Sequence, residues 1–241
     1  MLNKLIAIDN DLSARKQEQL LIMRKAIKEG NDITKTMSAC IVVGGDAYEL
    51  MSVVVENMSS VSAGVRGVIQ ANGNMSEALR CVIDKKGSIS EAMRGVGSAN
   101  GDVYTAMKLV VEFYNKIAEE MLVRLEAEGK TSKVMIAMFD FYGNRTQVAR
   151  IDAVKKEIDE FNGNQTAEAM KGVKYSGGNT NEAMRGVINA SGSVYHAMLG
   201  LTTVGGAVSG ALQCVIDLGG DVEQAIKGIE HGGGNVPVGI P

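Results

Sequence analysis

The sequence predicts an all-α protein: a helical repeat array of short antiparallel helices joined by Gly turns, interrupted by two longer helices. Three observations carry this. A fourteen-residue period runs through most of the 241 residues, shown by the alignment of Gly73-Asn74-Met75-Ser76-Glu77-Ala78-Leu79-Arg80 with Gly87-Ser88-Ile89-Ser90-Glu91-Ala92-Met93-Arg94. Most units open with Gly and then a residue suited to cap a helix; the caps are Asp32, Asp46, Ser60, Asn74, Ser88, Asp102, Asn179, Ser193 and Asp221. Between caps the apolar residues fall at helical spacing, as in Met75, Ala78, Leu79, Val82 and Ile83.

Residues 1–30 are expected to form an N-terminal amphipathic helix, from about Asp11 to Glu29. The first repeat block spans residues 31–114. The period is clearest in its Ala-hydrophobe step, Ala78-Leu79, Ala92-Met93 and Ala106-Met107. Residues 115–163 form an insert. No Gly occurs from Val103 to Glu128, and Val103, Met107, Val110, Tyr114, Ile117, Met121 and Leu125 approach a heptad. That predicts one long helix made by fusing two units. Thr146–Phe161 reads as a second long, charged helix, with an aromatic segment around Phe139 and Phe141 between them. The second repeat block spans residues 164–233, where the step recurs as Ala169-Met170, Ala183-Met184, Ala197-Met198, Ala211-Leu212 and Ala225-Ile226. Residues 234–241 are a Gly/Pro tail, expected to be a flexible end or an arm docked on a neighbour.

One slot of the repeat runs against helix propensity. It holds Gly67, Cys81, Gly95, Gly172, Gly186, Gly200, Cys214 and Gly228. Glycine inside a helix costs roughly 1 kcal/mol relative to Ala, and a cost repeated at every unit implies a repeated need. The residue three places earlier is usually Ala, so each helix carries a small-residue stripe, which predicts close backbone packing along the array. Cysteine fits as a small buried residue. With short turns, successive helices alternate in direction, and two units make one rung of twenty-eight residues. The alternative is a β-solenoid with Arg-Gly-Val-Ile-Gln and Gln-Cys-Val-Ile-Asp as strands. It accounts for the Gly and Val-Ile content, but poorly for Ser-Glu-Ala-Met-Arg, whose residues favour helices.

Composition narrows the function classes. Hydrophobic residues make up 45% of the chain, yet only 4% is aromatic and Trp is absent, so Ala, Val, Ile and Met must fill thin layers between helices. A net charge of −3 argues against a general nucleic-acid or membrane-surface binder. No apolar run approaches the roughly eighteen residues needed to span a bilayer. Three cysteines without framework spacing fit a reducing cytosol.

The chemistry-bearing residues resolve into structural readings. Cys40-Ile41-Val42-Val43-Gly44-Gly45-Asp46 resembles a strand leading into a nucleotide loop, but it is in register with the repeat and no phosphate-binding motif follows. His196 and His231 fall in different phases of the repeat and lack metal-ligand spacing. The ladder Arg66, Arg80, Arg94, Lys108, Lys171, Arg185 and Lys227 carries a Glu three residues before most rungs, which predicts a salt-bridged solvated face. The recurrent Met37, Met51, Met93, Met107, Met170, Met184 and Met198 read as core. No catalytic, cofactor-binding or metal-binding set emerges.

The resulting expectation is a non-enzymatic structural protein. It would self-assemble into or decorate a larger particle (a filament, virion or phage component) after cytoplasmic synthesis, with copies of itself or other assembly proteins as partners. The alternative is a monomeric solenoid adaptor that binds a foreign protein. The candidate interface residues are Phe139, Phe141, Val222, Ile226, Ile229 and Pro237.

Overall fold

The computed structural model describes residues 2–128 and 151–237, and side chains over 13–123 and 155–237. The described residues form twelve helices and no strand, which excludes the β-solenoid. They are α1 (Leu2–Lys28), α2 (Ile33–Val42), α3 (Ala47–Glu56), α4 (Val61–Gln70), α5 (Met75–Asp84), α6 (Ile89–Ser98), α7 (Val103–Glu128), α8 (Ile151–Tyr175), α9 (Thr180–Asn189), α10 (Val194–Thr203), α11 (Val208–Asp217) and α12 (Val222–His231). Phe139 and Phe141 lie outside the described residues.

The repeat unit is set at both ends by local chemistry. Asp32, Asp46, Ser60, Asn74, Ser88, Asn179, Ser193 and Asp221 are extended, and each side chain accepts a hydrogen bond from the amide three residues on. This satisfies one of the amides a helix leaves unpaired in its first turn. At the other end the chain turns left-handed at Gly44, Met58, Asn72, Lys86 and Asn100, and again at Gly177, Ser191, Gly205, Gly219 and Gly233. These positions are fourteen residues apart within each block. Paired hydrogen bonds close each turn, as where Asn72 N–H donates to Ile69 O (3.0 Å) and Gly73 N–H to Val68 O (2.8 Å). That pairing is the Schellman stop, and it satisfies the last carbonyls. A cap, ten helical residues and a left-handed stop therefore repeat as one cassette.

The chain divides into two compact units, residues 1–102 and 103–241. Within the first, helices pack in two rows, α1–α3–α5 and α2–α4–α6, with the chain alternating between rows. Within the second the rows are α7–α9–α11 and α8–α10–α12. Each helix thus lies chiefly against the helix two units away, which is the twenty-eight-residue rung. Between the rows the fifth residue after each cap is withdrawn from solvent. Met37, Met51, Val65, Leu79 and Met93 in the first unit are all 0% exposed, as are Met107, Met170, Met184, Met198 and Leu212 in the second. Burying one such side chain contributes roughly 1.5–3 kcal/mol. This is how a chain without Trp builds a core.

Three expectations need correction. The N-terminal helix begins at Leu2 rather than near Asp11. The second long helix does not end at Phe161: α8 runs unbroken from Ile151 to Tyr175, through Gly163. No left-handed stop occurs at Gly163, so the helix has no reason to end there. The tail is not free as far as it is described, to Pro237. Gly232 and Gly234 lie against Thr202 of α10, at distances that leave no room for a side chain on either glycine. Val236 and Pro237 are half-buried.

Candidate functional site

The glycine slot is where helix meets helix. A Cβ built on Gly67 would stand 2.6 Å from the Thr34 carbonyl oxygen and 2.7 Å from Met37 Cβ. Gly95 meets the Ser62 carbonyl, also at 2.6 Å, and Gly186 the Tyr104 carbonyl at 2.6 Å. Gly200 on Ala167 and Gly228 on Tyr195 are closer still. Except for Ala167, which lies inside the unbroken α8, the carbonyl belongs to the second residue after a cap, and in every case it is two helices back in the same row. Gly172 is buried in α8. Where the slot is filled by Cys, in α5 and α11, helices approach their row neighbours less intimately than the Gly-bearing helices do. Burial pushes the Cys81 thiol up to about 12 and raises that of Cys214, as it does that of Cys40 outside the slot.

A second contact accompanies the first. Five glycines that follow a left-handed stop sit on the ninth residue of a helix, two before the one they close: Gly73 on Ile41, Gly87 on Val55, Gly101 on Ile69, Gly192 on Val111 and Gly234 on Thr202. Two glycines per unit therefore bring backbone onto the neighbouring helix, one at mid-helix and one at the turn.

The basic ladder is paired with its own helix. Arg94 lies 3.4 Å from Glu91, Lys171 2.7 Å from Glu168, Arg185 3.2 Å from Glu182 and Arg80 3.9 Å from Glu77. Arg66 departs from this pattern and donates from Nε to Thr34 Oγ1 at 3.2 Å. Such exposed pairs contribute little stability, but they balance charge along the face.

A cleft of about 610 Å³ opens in the second unit, where α7 and α8 leave the array beside α10. His196 forms one wall. Its ring lies over Gly163, so closely that any side chain there would collide with it. That is why α8 has a glycine at a position with no turn. Nδ1 of His196 is 2.8 Å from Ser193 Oγ, and the same oxygen caps α10 by accepting from His196 N–H at 3.4 Å. The Ser–His pair is thus part of a helix cap. Tyr195 meets the edge of the His196 ring and also bonds His231, Oη to Nδ1, at 2.8 Å. Burial holds the His196 pKa below its ordinary value, with Glu160 pulling the other way.

Across the cleft Asn115 Nδ2 donates to Ala190 O (3.1 Å), Asn162 Nδ2 to Tyr114 O (3.3 Å) and Tyr114 Oη to Gln165 Oε1 (3.3 Å). Tyr114 packs edge-on against Phe161. These bonds fasten the long helices to the repeat. Asn162 Oδ1 is the one buried side-chain polar atom without a partner among the described residues. Sequence reading missed this junction. Gly163 gave no signal, because it lies fourteen residues before Gly177, in phase with the left-handed stops, and so reads as one more helix end.

Of the candidate interface residues, Ile229 is fully buried within the chain, whereas Val222, Ile226 and Pro237 are half-buried. Ile226 is the exception in its slot, since the fifth residue of every other described repeat unit is 0% exposed. Its helix is the last among the described residues. Other exposed apolar residues are Leu21 and Ile22 on α1, Val42 and Val43 at the end of α2, and Met58 in the following turn. Among the described residues no group of three His, Cys, Asp or Glu side chains is placed to hold a metal, and no helix is long and apolar enough to cross a membrane. No protein-family model matches the sequence, and no curated protein is detectably similar to it.

Proposed function

We propose that the chain is a non-enzymatic structural protein that self-assembles into, or decorates, a larger particle, with copies of itself or other assembly proteins as partners. The observation that carries this reading is the uncovered face of α12. Repeat arrays bury their apolar faces only by stacking, and terminal units need polar caps to stay soluble alone. The last helix keeps Val222 and Ile226 partly open, where every earlier unit has its equivalent of Ile226 closed. The paired ladder and the engaged histidines fit a body built for packing rather than turnover. Synthesis in the cytoplasm, followed by incorporation into a filament, virion or phage particle, accords with unpaired thiols throughout.

A concentration series followed by light scattering, with negative-stain imaging of the same fractions, tests the proposal. It predicts mass above the 25.5 kDa of one chain, rising with concentration. A single-chain mass at every concentration would reject it.

A second reading, the protein-binding adaptor, draws on a different observation. Val42 and Val43 are 72% and 69% exposed. In the other repeat units the position of Val42 holds residues such as Glu56, Gln70, Asp84, Ser98 and Asp217. That aliphatic pair on the side of the first unit suits a foreign partner. A stoichiometric foreign protein recovered by a wild-type bait but lost with Val42→Asp would favour this reading.

A further inference from the structure

Two helices at row ends, α1 and α12, carry opposite charge. The helix α1 is first in its row. On its outer face Leu21 is 62% exposed, with Arg24, Lys25 and Lys28 three, four and seven residues on, all exposed. At that spacing the four lie together on one side of the helix. The helix α12 is last in its row. On its outer face Ile226 is flanked by Glu223 three residues before and Glu230 four residues after, both exposed. These two glutamates occupy the slots of the second and ninth residues, the positions on which the next helix of a row sits. In the other units they are Thr34 and Ile41, Ser62 and Ile69, Tyr104 and Val111. Each face is partly balanced from within: Lys25 lies 3.9 Å from Glu29, and Lys227 bonds Glu223 at 2.6 Å. The described part of α1, residues 13–28, nevertheless holds five basic residues against one acidic, Glu18. From Asp221 to Glu230 the count is three acidic, Asp221 included, against one basic.

We infer that α1 of a second copy lies on α12, so that the row α8–α10–α12 continues into α1–α3–α5 of the next chain. Leu21 meets Ile226, Arg24 and Lys28 face Glu223 and Glu230, and the contact joins the first helix of one copy to the last of another. Such a head-to-tail contact uses two different surfaces. It extends into a ring or an open filament rather than ending at a dimer. The occupant is a second copy because its charge and its place at the start of a row both complement the open face. This inference rests on the self-assembly reading above.

The test uses two full-length variants with exposed substitutions only, Arg24→Glu/Lys28→Glu and Glu223→Lys/Glu230→Lys, each checked for unchanged helical circular dichroism. The first variant sets two carboxylates against Glu223 and Glu230, and the second sets two ammonium groups against Arg24 and Lys28. Light scattering is then run on each alone and on an equimolar mixture. Each variant alone is expected to lose association by roughly a hundred-fold or more, since facing like charges costs several kcal/mol. The mixture, in which every acidic face finds a basic one, is expected to recover it. If wild type assembles and either variant alone assembles equally well, this interface is wrong while the self-assembly reading stands. If wild type is a single chain at every concentration, both fall.

Discussion

Gly95 lies on the carbonyl oxygen of Ser62, at a separation that would leave 2.6 Å between that oxygen and a Cβ. The same relationship recurs from Gly67 to Thr34, from Gly200 to Ala167 and from Gly228 to Tyr195, each pair thirty-three residues apart, and from Gly186 to Tyr104 across the insert. A repeat of fourteen predicts twenty-eight for equivalent residues in row neighbours. The further five residues are the step from the second to the seventh position of the unit. One residue type at one position therefore sets how near the helices of a row approach. The helical penalty of glycine is offset by closer dispersion contact along the whole face.

The left-handed stops are filled unequally. Gly30, Gly44, Gly177, Gly205, Gly219 and Gly233 adopt positive φ without a Cβ, while Met58 and Lys86 do so at φ 50 and 56. Met58 is also 96% exposed, so its side chain contributes no packing. Met58→Gly is expected to stabilise the protein by about 1 kcal/mol, because the left-handed penalty of an L-residue disappears. Thermal denaturation of the variant beside wild type checks this, and a fall in Tm would contradict it.

One cap is missing. Ala207 has the extended geometry of a cap, φ −72 and ψ 110, but makes no side-chain bond to α11. Ala207→Ser is expected to add about 1 kcal/mol, and Ser88→Ala to remove about as much by uncapping α6. Urea midpoints that shift in opposite directions would bear this out. Two shifts of the same sign would not.

His196 makes stability depend on pH. Burial beside Gly163 and under Tyr195 disfavours its protonated form, so its folded pKa lies below the ordinary 6.5. Lys156, Asp159 and Glu160 of α8 line the same cleft, and Glu160 opposes the shift without reversing it. The unfolded chain then binds the proton more readily than the folded one. The contribution is complete above about pH 6.5 and declines as pH falls toward the lowered folded value. Unfolding free energies measured from pH 7.5 to pH 5 should show a slope in wild type that flattens in His196→Asn. Equal slopes would remove the histidine from the account.

The parts of the fold legible in the sequence are those written in local chemistry. Asp32, Ser60, Asn74 and Ser193 announce helix starts because capping needs only the next three residues. The Gly-free run from Val103 announces the long α7, which is helical throughout Val103–Glu128. The parts not legible depend on partners distant in sequence. Gly163 reads as a helix stop until the His196 ring is found against it, thirty-three residues further on. The tail reads as free until Gly234 is found on Thr202. Ile229 and Ile226 look alike on a helical wheel. Only the packing of α12 against α10 buries the first and leaves the second partly open.

The most direct test of the close-packing account is the urea unfolding free energy of Gly95→Ala. On an isolated helix this change stabilises by about 1 kcal/mol through propensity alone. Against the Ser62 carbonyl the added methyl has no space, and overpacking of this kind costs roughly 1–3 kcal/mol. The account predicts a net loss of stability. A gain near 1 kcal/mol would mean that α6 and α4 move apart at no cost, and that glycine is not what sets their distance.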